Sequence, residues 1–467
     1  MALSGVRQPA YRVVDPATGE PVRSFPCATD AEVDETLNAA HAAYLGWRDR
    51  PVAERAHLVR RAGAALLHRA HELARTMRLE MGKPLSEGVE EIEYCASIFD
   101  YYADQGPGLV ADEELPSRGE GRAIVQSRPI GPLLGIMPWN YPCYQVVRFA
   151  APNLVLGNTV IIKHAESVPL TARTLEEVML DAGLPRGAYL NVFATHGQIS
   201  SLIADVRVQG VSLTGSERAG SAVAAAAGRH LKKCVLELGG SDPFIVLDSA
   251  DVAAVAALAW RTRIHNNGQA CTSNKRMLVM ADIYDAFVAA LVAEADAVDS
   301  VTHPPMASRP AAETLAAQVD DAVAKGARLL AGGVLARDGS ARYSPAVLVD
   351  VSEGMRAYHE ELFGPVAVVY RVTHDDHAVA LANSSAYGLG AAVFSADPQR
   401  ARRVADRLET GMVNVNTPYG DGPELPFGGI KRSGFGRELG PTGMSEFVNK
   451  RLVHTAVDAR TGVNPHA

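Results

Sequence analysis

The chain has 467 residues, 47% of them hydrophobic and 21% charged, with 41 glycines and 27 prolines. A single core stops growing near roughly 250 to 300 residues, so the length excludes one ordinary domain and the composition excludes large-scale disorder. A net charge of −8, with no basic block interleaved with aromatics, argues against a nucleic-acid partner.

The opening residues, MALSGVRQPAYRVVDPATGE, carry no apolar core followed by a small-residue cleavage site. No window approaches the roughly 18 apolar residues of a membrane span, so the sequence predicts a cytoplasmic protein with no membrane partner. Thr29-Asp30-Ala31-Glu32 forms a capping box, and apolar residues recur at three- and four-residue spacing through VAERAHLVRRAGAALLHRAHELARTMRLEMG. That run starts after Pro51 and stops near Gly82, which predicts a helical first hundred residues with one buried face. GRAIVQSRPIG, residues 121–131, then alternates between glycines and predicts a strand or hairpin arm projecting from the body.

From residue 133 short apolar runs alternate with helical segments: LLGIM, TVIIK, YLNVFA, QGVSLTG, CVLEL and PFIVLD. Strands buried on both faces and separated by amphipathic helices predict a parallel α/β sheet. A second series, KRMLVM, AVLVD, PVAVVY and AAVFS, follows Cys271 and predicts a second α/β domain. The Pro-rich stretch DAVDSVTHPPMASRP, residues 296–310, predicts an exposed connection.

Five cysteines, at 27, 95, 143, 234 and 271, are odd in number and lack CxxC spacing, which argues against a disulfide framework and a zinc site. Free cysteine is among the most buried residue types, and four of the five read as inert core. Cys271 differs: the polar, glycine-containing stretch IHNNGQACTSNKR lets the backbone turn tightly and present the thiol at a surface where thiolate forms. A thiolate attacking a carbonyl creates an oxyanion that needs preorganised donors. Asn140 in PWNYP follows the strand LLGIM, where α/β sheets present ligands, although an Asn between prolines is equally a turn former. Glu237 in LELGGSDP sits inside an apolar strand before two glycines. Buried, it gains the raised pKa of a general base; facing water, it is an ordinary carboxylate. The turn Thr214-Gly215-Ser216 lies between a strand and a helix, where free N–H groups favour phosphate, yet no GxGxxG accompanies it. Lys163 and Glu166 in IIKHAE suit ribose hydroxyls or a solvated loop.

In family order, DPATGE, PWN, KHAE, TGS, ELGGSDP, GQAC, ELFGP and PFGGIKRSG resemble the aldehyde dehydrogenase superfamily over nearly the whole chain, from about residue 15 to 440. The pattern is most similar to the NAD(P)-dependent succinate-semialdehyde dehydrogenase group, particularly its shorter bacterial members. The resemblance implies an α/β fold with a Rossmann-type dinucleotide-binding domain over 1–110 and 131–239 and an α/β catalytic domain over 240–440. Oligomerisation or bridging segments at 111–130 and 441–467 would assemble a homodimer or homotetramer through a β arm. It implies Cys271 as nucleophile, Glu237 as the base for deacylation and Asn140 as oxyanion donor. Cofactor contacts fall to Trp139, Lys163, Glu166, Thr214, Gly215, Ser216, Gly239, Glu361 and Phe363. An aldehyde, on this resemblance succinate semialdehyde, is oxidised to its acid through a thiohemiacetal and a thioester. Because Glu166 suits two ribose hydroxyls and repels a 2′-phosphate, NAD is the preferred cofactor and NADP the alternative.

A semialdehyde with a distal carboxylate needs a cationic anchor. Arg148 in YQVVRFAAP matches an arginine lining the substrate funnel of that group, and equally reads as a helix-surface charge. Six residues before the nucleophile, where many such enzymes carry a second arginine, stands His265, a departure that keeps a broad aliphatic or aromatic specificity open. Phe427 in the PFGG loop either borders the substrate mouth or packs. The 296–310 connection lacks the usual Gly-Asp-Pro stretch, which predicts a trimmed surface away from the catalytic motifs. A CoA-acylating enzyme would lack the base at Glu237, and a catalytically silent protein on the same fold would have lost Cys271, Glu237 or Asn140; all three are present.

Overall fold

Two mainly parallel sheets carry the site between them. The protein is described by a computed structural model over residues 11–116, 121–299, 302–420 and 422–455. The first sheet has six strands in the order Gly434–Phe435, Lys233–Glu237, Gly210–Thr214, Pro132–Met137, Thr159–His164 and Tyr189–Asn191. All neighbours are parallel except the first pair, in which Gly434 lies opposite Glu237. Leu133, Leu134, Ile161, Val211, Leu213 and Val235 are all buried, which is why these runs are continuously apolar rather than alternating. The chain leaves Pro132–Met137 toward one edge, through Thr159–His164 and Tyr189–Asn191, and returns on the other side as Gly210–Thr214. This reversal opens a crevice beyond Met137 and Thr214, at the carboxyl ends where such sheets receive ligands.

The second sheet runs Arg328–Ala331, Ala346–Val349, Val366–Val372, Arg276–Met280, Pro243–Val246, Ala392–Phe394 and Asn414–Val415, parallel except at its first pair. The run PFIVLD, grouped with the first series by its order in the chain, pairs here with Arg276–Met280 and Ala392–Phe394. In the other direction, Gly434–Phe435 falls inside the expected catalytic range 240–440 yet hydrogen-bonds to the first sheet. The chain therefore crosses between the layers twice, and both crossings, at 238–242 and 427–435, pass the site.

The capping box forms as expected: the Thr29 hydroxyl accepts from the Glu32 amide, and the Glu32 carboxylate accepts from Thr29 N, at the start of helix Asp30–Trp47. The long helical run divides into Val52–His68 and Ala70–Met81 at Arg69 (φ −98°, ψ 14°), whose guanidinium is drawn out to Glu72 and Glu177. Gly82 ends the second of these at φ +78°, and a Cβ there would lie 2.7 Å from the Pro305 carbonyl. That close approach bears on a correction. The 296–310 stretch is exposed only in part: Asp296, Ala297, Asp299, Thr302, Ser308 and Pro310 are exposed, whereas Pro305, Met306 and Ala307 are buried, and residues 300 and 301 lie outside the described residues. Pro305 packs, and the Pro304 carbonyl, the His303 ring and the Ala307 amide meet the loop that carries Cys271, as shown below.

A three-stranded antiparallel sheet, Val448–Thr455, Arg122–Pro129 and Glu113–Leu115, forms the arm. Leu452 on it is 61% exposed. Residues 117–120 and 456–467 of the expected assembly segments, and residues 1–10 of the opening stretch, lie outside the described residues. Among the described residues no helix is long and apolar enough to cross a membrane.

Candidate active site

The loop that carries Cys271 is built from its own polar side chains. After helix Val252–Ile264 the chain turns through Asn266 (φ 49°), Asn267 (φ 53°) and Gly268 (φ 70°), three successive left-handed residues that asparagine and glycine tolerate best. Asn266 Nδ2 donates to the Asn140 carbonyl at 2.8 Å, and Asn267 Nδ2 donates to Pro304 O at 3.0 Å. His303 Nε2 lies 2.7 Å from Asn267 Oδ1, and Gln269 Oε1 accepts from Ala307 N at 2.8 Å. The segment expected to lie away from the catalytic motifs thus buttresses the loop that carries Cys271.

Asn140 is buried and tied to that loop: its Nδ2 donates to Gln269 O at 2.9 Å while Oδ1 accepts from Gln145 Nε2. These bonds fix the amide plane and use one of its two N–H groups. Cys271 itself is partly buried. Burial pushes its thiol up to about 11, with Arg148 and Lys275 pulling the other way and Glu361 and Asp242 adding to the rise. The thiol thus keeps part of the exposure expected of it, but the loop's polar groups bond one another and lend it little.

Glu237, at the end of its strand, is 2% exposed, and neither carboxylate oxygen has a hydrogen-bond partner. Burial raises its pKa well above the carboxylate range; Arg148 opposes this and Glu438 adds to it. Of the two readings open from sequence, the buried one is correct. Two residues after it, Gly239 allows a close approach of Glu361, since a Cβ would lie 2.5 Å from Glu361 Oε2. A Cβ on Gly240 would lie as close to the Cys271 carbonyl. The double glycine therefore lets three chain segments converge.

Arg148 is neither a helix-surface charge nor open to solvent, being 1% exposed. It ion-pairs through Nε with Glu438, donates from Nη2 to Thr214 Oγ1 at 3.0 Å, and lies 4.4 Å from the Phe427 ring centroid. Phe427 also meets Tyr144 edge-on. Of the two readings of Phe427, packing is the one observed, and it packs on the arginine. His265 is half-exposed, with Nδ1 3.1 Å from the Tyr141 hydroxyl and Nε2 3.8 and 3.7 Å from Glu87 and Glu90. Arg263 and Arg276 do not enter a pocket. Arg263 is fully buried and donates to Gly268 O, Ser273 Oγ, Leu362 O, Gly364 O and Val366 O, clasping the Cys271 loop to the loop that carries Glu361 and Phe363. Arg276 donates to Ser241, Leu381 and Ala382 carbonyls.

The residues expected to hold a dinucleotide surround the crevice. Lys163 is buried and lies 2.5 Å from the partly exposed Glu166; burial raises the Glu166 pKa, but the lysine outweighs it and the net shift is downward. His164, beside them in sequence, points away to Pro142 O, and burial holds its pKa down at about 4. Ser216 caps the 13-residue helix Glu217–Arg229, accepting from Ala219 N, and Gly215 N donates to Glu237 O. Trp139 and Phe363 meet edge-on with centroids 5.7 Å apart. A free helix N-terminus beside the switch point, a carboxylate and ammonium at a neighbouring strand end, and the cradle kept open by Gly239 fit a phosphate-linked, ribose-bearing cofactor.

Sequence reasoning missed Lys275, Glu438 and Asp242. Their signal was charge within otherwise apolar or glycine-rich segments: Lys275 immediately precedes the strand Arg276–Met280, which is apolar after its first residue.

A nicotinamide-dependent oxidoreductase with a cysteine at its centre is the class that this fold and site define. The chain belongs to the aldehyde dehydrogenase family, whose model matches residues 4–453. It is 54% identical to a protein of Deinococcus radiodurans named succinate-semialdehyde dehydrogenase, NADP(+), over 95% of this chain and 94% of that one. It is 42% identical to a Mycobacterium bovis protein of the same name, numbered 1, over 95% and 99%. Its fold superposes with a TM-score of 0.92 on the crystal structure of a succinic semialdehyde dehydrogenase from Streptococcus pyogenes in complex with NADP+, at 37% identity, covering 96% of this chain and all of that one.

Proposed function

We propose that this enzyme oxidises succinate semialdehyde to succinate, with Cys271 as nucleophile, Asn140 as oxyanion donor and Glu237 as the base for deacylation. The observation that carries the substrate is Arg148. It is a buried cation whose field reaches both the thiol and Glu237, and a guanidinium has five N–H donors, which Thr214, Glu438 and the Tyr144 hydroxyl do not exhaust. The names of the relatives support the same substrate. His265, facing Glu87 and Glu90, lines the mouth rather than anchoring a carboxylate.

The reaction begins with loss of the Cys271 thiol proton to water and attack of the sulfur on the aldehyde carbon, forming a thiohemiacetal whose oxygen meets the Asn140 amide. The nicotinamide cofactor, when bound, accepts the hydride. The remaining thioester is hydrolysed by water that Glu237 deprotonates, and the unpartnered, buried carboxylate suits that task because its raised pKa brings it toward the working range of a base. Trp139, Glu361, Phe363, Thr214, Gly215, Ser216 and Gly239 line the cofactor crevice in this reading.

The relatives are named for NADP, and the NAD preference expected from Glu166 gains no support from them. We take the enzyme to accept NADP, with Glu166 drawn onto Lys163, whose ammonium offsets its repulsion of a 2′-phosphate. The protein acts in the cytoplasm as a homodimer or homotetramer built through the three-stranded arm, a reading that light scattering tests. The substrate test compares kcat/KM for succinate semialdehyde with that for an uncharged aldehyde of equal chain length, using each cofactor. A preference of roughly a hundredfold, about 2.7 kcal/mol, supports the anchored carboxylate; equal values sink it.

A further inference from the structure

Lys275 lies four residues beyond the nucleophile, immediately before strand Arg276–Met280, and is 1% exposed. A buried ammonium persists when all its donors are used and its charge is met. Nζ donates to the carbonyls of Ala270 at 2.9 Å and Cys271 at 2.8 Å, and lies 3.0 Å from Glu361 Oε1. Two of these three partners are neutral, so Glu361 supplies the neutralising charge in contact. Glu361 is itself shared: the same oxygen accepts from Gly240 N at 3.1 Å, and Gly239 keeps the space beside Oε2 open.

We infer that Lys275 is a positioning residue that couples occupancy of Glu361 by the cofactor's ribose to the reactivity of Cys271. This rests on the reading of Cys271 as nucleophile and Glu361 as a riboside contact. The charged and titratable groups facing the thiol are the cations Arg148 and Lys275, the anions Glu361 and Asp242, and the hydroxyls of Tyr141 and Tyr144. The lysine and Glu361 act on the sulfur with opposite sign and partly cancel. A hydroxyl donor that engages Glu361 loosens its hold on the ammonium. Lys275 does not follow, because the carbonyls flanking the nucleophile hold it and Arg263 fixes both loops relative to each other. More of the ammonium's field then reaches the sulfur, and the thiolate is favoured only when a cofactor is there to accept the hydride.

Iodoacetamide tests the relay in the full chain. The thiolate forms a sulfur–carbon bond and iodide leaves, so the labelling rate of the Cys271 peptide, followed by mass over about pH 6 to 10, reports the thiolate fraction. The wild type should label about tenfold faster at neutral pH with NADP+ than without it, equivalent to one pKa unit. Lys275→Met should lose that acceleration while still binding the cofactor, as read by its fluorescence quenching, and Lys275→Arg should keep most of it. Glu361→Gln, which leaves the ammonium uncancelled, should label fast without cofactor and gain less than twofold with it. Full acceleration in Lys275→Met, or none in the wild type, overturns the relay. Should Lys275→Met not fold, slow labelling with full acceleration in Glu361→Gln overturns it equally. Failure of the underlying reading looks different: turnover would survive Cys271→Ala, or Cys271 would not be the cysteine whose labelling answers to cofactor.

Discussion

Asn267 ties the nucleophile loop to the segment behind it, and its replacement gives a graded test of that link. The residue is 1% exposed and left-handed, at φ 53° and ψ 36°. Its amide donates to Pro304 O at 3.0 Å and its oxygen meets His303 Nε2 at 2.7 Å. Burial holds the His303 pKa down at about 4, so the imidazole is neutral at pH 7 and Nε2–H is the donor to Oδ1. Asn267→Gly keeps the backbone conformation but strands both partners, at about 1–3 kcal/mol for each unsatisfied buried group, and about 2–3 kcal/mol together allowing for non-additivity. Asn267→Ala loses the same bonds and adds about 1–2 kcal/mol for a β-carbon in the left-handed region. Stability in urea, followed by tryptophan fluorescence, should therefore rank wild type above Gly above Ala. The kcat/KM should fall up to about a hundredfold, in the same order, because a displacement near 1 Å at the nucleophile costs that much. An alanine variant as stable as the glycine one, or both within about 0.5 kcal/mol of wild type, would refute the buttress.

Glu237→Gln should retain a rapid burst of one equivalent of reduced cofactor while steady-state turnover falls about 10²- to 10⁴-fold, since the water loses its base after acylation; a lost burst, seen by stopped flow, would move Glu237 into the first step. Glu438→Ala should cost about 3–5 kcal/mol in urea unfolding by leaving the buried Arg148 unneutralised, and the double change Arg148→Met with Glu438→Gln should recover most of it. Asp242 gives a pH signature: burial lifts its carboxyl from 3.8 to about 6, with Lys275 and Arg276 opposing, so between those values the folded state holds more protons than the unfolded. Its contribution therefore falls as pH rises from about 4 to 6, by ~3 kcal/mol at most, and stays lost above. Asp242→Asn should abolish that fall and be the more stable protein above pH 6, and urea midpoints that run parallel to wild type across this range would exclude it.

How much of the fold is legible in the sequence depends on whether the determinant is local. The capping box at Thr29 and the stop at Gly82 are local, as are apolar runs such as TVIIK and PVAVVY, and each forms where the sequence places it. Which sheet a run joins is not local. PFIVLD is as apolar as CVLEL, and its partner strand begins only at Arg276. Nor is the burial of Pro305 to Ala307, where prolines suggest solvent but a left-handed Gly82 admits the chain against the helix end. The break at Arg69 depends on Glu177, more than a hundred residues away.

The site divides in the same manner. Cys271, Glu237 and Asn140 stand out because each is the wrong residue type for its local setting: a thiol among amides, a carboxylate in an apolar strand, an amide between prolines. Their electrostatics are not legible, because the same polarity serves two opposite arrangements. Were the amides of NNGQ turned to solvent, the thiol beside them would be open and easily ionised. Turned inward, onto Asn140 O, Pro304 O and Ala307 N, they build a rigid loop and leave the sulfur to desolvation. The second arrangement is the one observed, and it moves the burden of activating the thiol from the loop to charges that sequence spacing does not connect to it. Those charges are Arg148 from the first layer and Lys275 from the second. Each is held by a carboxylate, Glu438 and Glu361 respectively, so both cations that draw the thiol's pKa down belong to ion pairs that join separate segments of the chain.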